Sequence, residues 1–147
     1  MNRVLFRAEE VPLPPWTKQA GVFIKQVLNV LGHDNWEVSV LCCSNRYIKT
    51  LNAQYRGKDE PTDVLAFPAG DAPAAGTLPY IAGDIVVSLD ALEENARFFS
   101  VCADEELRRL LVHGILHLAG EDHASNSEEE PMLQYQEEIL ARLKDES

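Results

Sequence analysis

The segment LRRLLVHGILHLAG, residues 107–120, constrains the fold more than any other part of the chain. It begins with charged residues, but from Leu110 onward it is apolar on nearly all sides, and a helix of that kind is buried. His113 and His117 interrupt the apolar run four residues apart, so they lie on one face of the helix, one turn from each other. The segment therefore predicts a central, buried helix that presents two imidazoles on the same side.

A third histidine and a glycine extend this pattern. Gly120 predicts the end of the helix because glycine accepts a left-handed conformation, and the returning chain then lets His123 approach from the side. Three imidazoles suit one metal ion, and three protein ligands leave a fourth tetrahedral position open, as in catalytic zinc sites. We therefore expect one zinc ion on His113, His117 and His123, with Zn–N distances of about 2.0–2.1 Å. Imidazole also suits copper, iron and nickel, so the ligands alone do not fix the metal.

The residue after the first histidine separates this site from that of a peptidase. In the metzincin pattern HExxHxxGxxH this residue is a glutamate, which acts as the general base. Here the histidines and the glycine keep their relative positions, whereas Gly114 replaces the glutamate. We therefore expect chemistry other than peptide hydrolysis, or a base supplied from elsewhere in the chain.

Shorter patterns predict the remaining elements. Strand composition marks four segments: VLFRA (4–8), WEVSVLCC (36–43), VLAFP (64–68) and DIVVSL (84–89). Helices are predicted from about 16 to 31, from a Ser44 cap to Gly57, around 92–99 with Phe99 facing inward, from an Asp104 cap to Gly120, and from about 131 to 143. Residues 69–83 have loop composition, and His33 is predicted to be an exposed residue at a helix end. Together these elements predict one α+β domain over residues 1–147, in which helices flank a small mixed sheet around the histidine helix.

Charge and composition limit the classes of function. Residues 1–58 carry eight basic and four acidic side chains (+4), and residues 59–147 carry five and twenty (−15), which together give the net charge of −11. An acidic chain lacks the usual basic footprint of a nucleic-acid-binding protein, although the basic first part leaves that class open. Three cysteines without CxxC spacing, no long apolar segment and no signal-peptide pattern predict a cytoplasmic protein without a disulfide framework.

Three blocks in one order resemble the YbeY family of bacterial metal-dependent endoribonucleases. They are LNAQYRGKDEPTDVLAFP (51–68), GDIVVS (83–88) and HGILHLAGEDH (113–123), and together they cover much of residues 51–123. One departure from the family pattern is Ala66, where a serine is expected, so we assign no function to that position.

The resemblance implies the same α+β fold and a zinc ion on His113, His117 and His123. It also implies that Arg56, in YRGKDEPTD, is the functionally important arginine of the family. Physical chemistry agrees, because a guanidinium offers a planar, permanently charged fork of donors for the phosphate oxygens of a transition state. Arg56 and His113 are thus the expected catalytic residues. The alternative for Arg56 is a helix-end residue that faces solvent.

Three functions remain open. The first is a zinc-dependent, single-strand-specific endoribonuclease that matures the 3′ end of small-subunit ribosomal RNA and contributes to ribosome quality control, with ribosomal RNA as substrate and the ribosome or its assembly proteins as partners. The second is a metallopeptidase-like hydrolase, which the histidines favour and Gly114 opposes. The third is a non-catalytic ribosome-assembly factor in which zinc only stabilises the fold.

Overall fold

A computed structural model of the protein describes residues 1–69, 80–121 and 130–144. In chain order its elements are β1 (Arg3–Glu9), α1 (Thr17–Val30), β2 (Trp36–Cys43), α2 (Asn45–Arg56), β3 (Val64–Pro68), β4 (Tyr80–Ser88), α3 (Leu89–Phe99), α4 (Ala103–Leu118) and α5 (Pro131–Lys144). Local signals set several of these bounds. The Ser44 side chain accepts a hydrogen bond from the Tyr47 amide and begins α2, and Gly57 ends it, as predicted.

The four strands form one mixed sheet in the order β1-β2-β4-β3. β1, β2 and β4 are parallel, and β3 pairs antiparallel with β4. The predicted α+β fold with a small mixed sheet and flanking helices is confirmed.

The sheet separates two apolar clusters of different size, because successive side chains of a strand point to opposite faces. On one face lies the main core, whose largest fully buried members are Ile24, Leu28, Ile85, Leu111, Ile115 and Leu116. On the other face α2 covers the small cluster, which consists of Leu41, Cys43, Ile48, Leu65 and Val86 with Tyr47, Leu51 and Phe67 at its margin. Cys42 faces the main core and Cys43 the small cluster, and all three cysteines of the chain are free.

Helix α4 lies at the centre of the main core. It packs against α1, α3, α5, β3 and β4, and Leu111, Val112, Ile115 and Leu116 in its second half have no solvent exposure. The predicted central, buried helix is therefore confirmed.

Four local predictions are wrong, and for Tyr80 and His33 tertiary contacts override the local signal. Tyr80 to Gly83 belong to β4 and not to a loop, since Tyr80 pairs with Trp36 and its amide donates to the Asn35 carbonyl at 2.7 Å. Phe99 is 58% exposed and does not face inward.

The third error concerns a cap: α4 begins at Ala103 with Cys102 as the capping residue, two residues before the expected Asp104 cap. His33 also differs from its prediction, because it is half-buried and its ring stacks on Trp36 at 3.9 Å between centroids. Burial lowers the pKa of the His33 imidazole.

Within the described ranges, no helix has both the length and the apolar character of a membrane span.

Candidate metal centre

The two described histidines of the motif converge on one point beside α4. His113 Nε2 and His117 Nε2 lie 3.2 Å apart, and the rings make an angle of 70° with centroids separated by 4.7 Å. Two nitrogens that each lie about 2.0–2.1 Å from one tetrahedral zinc ion are about 3.3–3.4 Å apart. The separation of the two nitrogens therefore fits a shared metal ion.

The far side of the His113 ring has a defined hydrogen-bond partner. His113 Nδ1 lies 2.8 Å from Gln136 Oε1, and because a carbonyl oxygen only accepts, Nδ1 carries the proton and donates. In the neutral imidazole, Nε2 then has the lone pair that a metal requires. In this tautomer the lone pair of His113 Nε2 is directed towards His117.

A charged pair holds Gln136 in this orientation. Gln136 Nε2 donates to Glu137 Oε2 at 3.1 Å, and Arg109 donates to both carboxylate oxygens of Glu137 at 2.9 Å. The guanidinium lowers the pKa of the Glu137 carboxyl group and the carboxylate raises the pKa of Arg109, so the pair stays ionised. This bidentate contact joins α5 to α4 one turn before His113.

The third expected ligand, His123, lies outside the described residues. Among residues 1–69, 80–121 and 130–144, no three potential ligand side chains gather in one place. Gly120, which is described, has a φ of +94° and follows Ala119, the residue that caps the end of α4. The left-handed turn predicted from the motif is therefore present at the position where the chain leaves the helix.

Gly114 has a packing role that the sequence did not reveal. A Cβ atom at this position would lie 2.9 Å from Cγ2 of Ile85 and 3.1 Å from its Cγ1 and Cδ1 atoms. Ile85 is fully buried in β4, so a larger residue at position 114 would require the Ile85 side chain to shift. The peptidase glutamate is therefore missing, and a side chain at this position would press against Ile85.

A cleft of about 1030 Å³ joins the histidines to the predicted arginine. Its walls include His113 and His117 from α4, Gln136 from α5, and Arg56 at the end of α2. Arg56 Nη2 donates to the Ala66 carbonyl of β3 at 2.9 Å, and its guanidinium lies 5.9 Å from the centre of the Phe67 ring. The fold thus places the exposed Arg56 and the two histidines around one cavity, although they come from opposite sides of the sheet.

Sequence reasoning missed a buried carboxyl group in the wall of this cleft. Glu106 is 3% exposed, and burial raises the pKa of its carboxyl group. The Asn95 amide donates to Glu106 at 3.2 Å and to Asp63 at 3.0 Å, and so links α4 to the loop before β3. A glutamate in the first turn of a helix is ordinarily exposed, so no local signal identified it.

Comparisons with known proteins agree with the fold and with the sequence blocks. The family model described as Endoribonuclease YbeY matches residues 7–144. Proteins named Endoribonuclease YbeY include one from Treponema denticola that is 52% identical over 124 residues (83% of this chain, 80% of the relative). Another, from Treponema pallidum strain Nichols, is 44% identical over 144 residues (97% of this chain, 90% of the relative).

A solved structure supports the same conclusion. The solution structure of TM1509 from Thermotoga maritima matches with a TM-score of 0.64 and 32% identity, over 99% of this chain and 91% of that one. The match of the family model to nearly the whole chain, together with relatives of this similarity, identifies the chain as a member of the YbeY family of endoribonucleases.

Proposed function

We propose that this protein is a zinc-dependent endoribonuclease that cleaves single-stranded ribosomal RNA, matures the 3′ end of the small-subunit RNA and contributes to ribosome quality control. The observation that supports this proposal best is the single cleft shared by the converging His113 and His117 nitrogens and by Arg56. We include residues 1–147 in one catalytic domain and expect the activity in the cytoplasm, where ribosomes are assembled.

His113, His117 and His123 would hold the metal ion. The 3.2 Å separation of the first two Nε2 atoms and the tautomer of His113 fit an imidazole-bound ion. When bound, zinc supplies Lewis-acid stabilisation of charge and activation of a nucleophile. Gly114 contributes no base, so the proton of the attacking group leaves through another group or through solvent.

Arg56 would bind the scissile phosphate. A guanidinium has five N–H donors, so the bond from Nη2 to the Ala66 carbonyl anchors the side chain and is compatible with a two-pronged contact to phosphate oxygens. The charge on those oxygens is delocalised and increases in the transition state, where a preorganised donor has its largest effect. His113 serves in the same site as a metal ligand next to the reacting phosphate.

The mixed charge of the cleft supports the involvement of a ribosomal partner. Its walls carry the basic residues Arg56, Lys58 and Arg109 and the acidic residues Glu60, Asp63, Glu94 and Glu106. With a net charge of −11, the protein gains little from general attraction to phosphates. We therefore propose that the ribosome or an assembly protein positions the RNA.

The test compares wild type, His117→Ala and, as a matched control, His33→Ala, whose ring stacks on Trp36. Zinc content and cleavage of a single-stranded ribosomal RNA fragment are measured on the same samples, with and without a chelator. Wild type and His33→Ala should bind zinc and cleave RNA, whereas His117→Ala should lose most of both. Product ends then identify the nucleophile, because attack by the 2′-hydroxyl leaves a 2′,3′-cyclic phosphate and attack by water leaves none.

Three results would contradict the proposal. Full zinc retention in His117→Ala would rule out the site. Chelator-sensitive hydrolysis of an unstructured protein without RNA cleavage would favour the peptidase. Zinc binding without cleavage of either substrate, with ribosomes or assembly proteins also present, would favour the non-catalytic assembly factor.

A further inference from the structure

The function proposed above uses the tautomer of His113 but assigns no role to the hydrogen-bond partner of this ring, the buried Gln136. It lies on α5, is 6% exposed, and accepts the His113 Nδ1 proton at 2.8 Å. A polar side chain loses hydration when it is buried, so its hydrogen bonds have to replace those to water. Gln136 meets this requirement because its amide oxygen contacts His113 and its amide nitrogen contacts Glu137.

The direction of each hydrogen bond in this chain follows from the chemistry of the groups. The Glu137 carboxylate only accepts, so the Gln136 amide nitrogen faces it and the amide oxygen faces His113. The two bonds from Arg109 at 2.9 Å fix the position of that carboxylate. Arg109, Glu137 and Gln136 therefore leave His113 with one favourable arrangement, in which Nδ1 carries the proton.

We propose that Gln136 is a positioning residue for the metal ligand His113: it fixes the tautomer and the ring orientation in which Nε2 points towards the metal. This inference rests on the proposed metal site. Groups that hold the second nitrogen of a ligating histidine typically change metal affinity or activity about 10–100-fold when they are removed. The substrate, by contrast, does not need to contact Gln136 for this role.

The test separates the two hydrogen bonds of Gln136. Gln136→Met keeps a similar volume and flexibility but lacks both bonds. Gln136→Glu keeps an acceptor for His113 and loses the donor to Glu137. Gln134→Met is the matched control, because Gln134 is an exposed glutamine of the same helix.

Zinc affinity is measured for each protein by competition with a chelating dye. The protonated nitrogen of His113 is identified in the metal-free proteins by ¹⁵N NMR. Gln136→Met should bind zinc about 10–100-fold more weakly. In this variant the His113 ring should no longer carry its proton on Nδ1 alone. Gln136→Glu should bind within a few-fold of wild type and keep the proton on Nδ1, and Gln134→Met should match wild type in both measurements.

Two outcomes would overturn the inference. The first is wild-type affinity and an unchanged tautomer in Gln136→Met. The second is an equal loss of affinity in Gln136→Met and Gln136→Glu together with lower melting temperatures of both metal-free proteins, because Gln136 would then act only through its bond to Glu137 and the packing of α5. Failure of the metal site itself gives a different result, since wild type would then not bind zinc.

Discussion

The two sides of the sheet contribute different parts of the candidate site. The main core, with α4 at its centre, carries His113 and His117, whereas α2, which covers the small cluster, carries Arg56 at its last position. The histidines are half-buried on a helix that other elements surround, and Arg56 is exposed at a helix end. The proposed metal binding and the proposed phosphate binding therefore depend on separately packed regions, so substitutions should separate the two properties.

The largest effect on stability is expected from matched core substitutions. Ile115 and Ile48 are both fully buried, one in the main core and one in the small cluster. Replacing either with alanine leaves a cavity and should lower the free energy of unfolding by about 2–5 kcal/mol. Ile115→Ala should also weaken zinc binding, because Ile115 packs the same helix that carries the two histidines. Ile48→Ala should instead reduce cleavage at unchanged zinc affinity. Denaturant unfolding and zinc titration check this, and equal loss of zinc affinity in both variants would contradict the proposed separation.

A second effect, of about 10²–10³-fold on turnover, is expected from Arg56→Lys. Lysine keeps the charge but lacks the planar fork of donors, so cleavage should slow. Arg56 is not one of the expected metal ligands, so zinc content and melting temperature should barely change. Arg46→Lys is the control, because Arg46 lies in the first turn of the same helix and binds Glu10 at 3.1 Å. The measurement is single-turnover cleavage with zinc determined on the same samples. Near-wild-type cleavage by Arg56→Glu would reduce Arg56 to a helix-end residue.

A smaller effect is expected from Gly114→Ala. Alanine gains about 0.5–1 kcal/mol of helix preference over glycine, but the forced contact with Ile85 should cost about 1–3 kcal/mol, so the variant should be less stable by about 1–2 kcal/mol. The clash is with side-chain atoms of Ile85. The double variant Gly114→Ala/Ile85→Ala should therefore lose less stability than the sum of the single variants. Strictly additive losses in thermal unfolding would show that the two positions do not touch.

The smallest effect concerns pH and the buried Glu106. Its pKa is raised by burial, so between the ordinary value of 4.5 and the higher folded value the native protein holds more protons than the unfolded chain. The free energy of unfolding therefore falls as pH rises through this window. Glu106→Gln should remove the part of this fall that is due to ionisation of Glu106. The melting temperature of the variant relative to wild type should be higher at pH 7.5 than at pH 4. A difference that stays constant or reverses would show that the Glu106 pKa is not raised.

The sequence predicted those parts of the fold and site that depend on neighbours along the chain. Ser44 and Gly57 fixed the ends of α2, and the spacing of His113 and His117 placed both rings on one face of a buried helix. The first residues of β4 were missed because Tyr80 joins the sheet through partners about 45 residues earlier, Trp36 and Asn35.

The polar partners of the site escaped prediction for a related reason. Glutamine and glutamate ordinarily lie on the exposed face of a helix. Gln136 and Glu106 are buried only because α5 and α3 pack against α4. Their roles follow from contacts with residues far away in the sequence, such as His113 and Asn95. The amino-acid sequence alone does not indicate these contacts, so it does not predict the burial or the roles of Gln136 and Glu106.

The bond from Arg56 to the Ala66 carbonyl also bears on association between molecules. Among the described strands, β3 is at the edge of the sheet, and an exposed edge can pair with an extended segment of another chain and start aggregation. The guanidinium occupies a main-chain acceptor of that edge and adds a positive charge beside it, and both features oppose strand addition. The residue that we propose to bind a phosphate would thus also oppose aggregation through this edge while no RNA is bound.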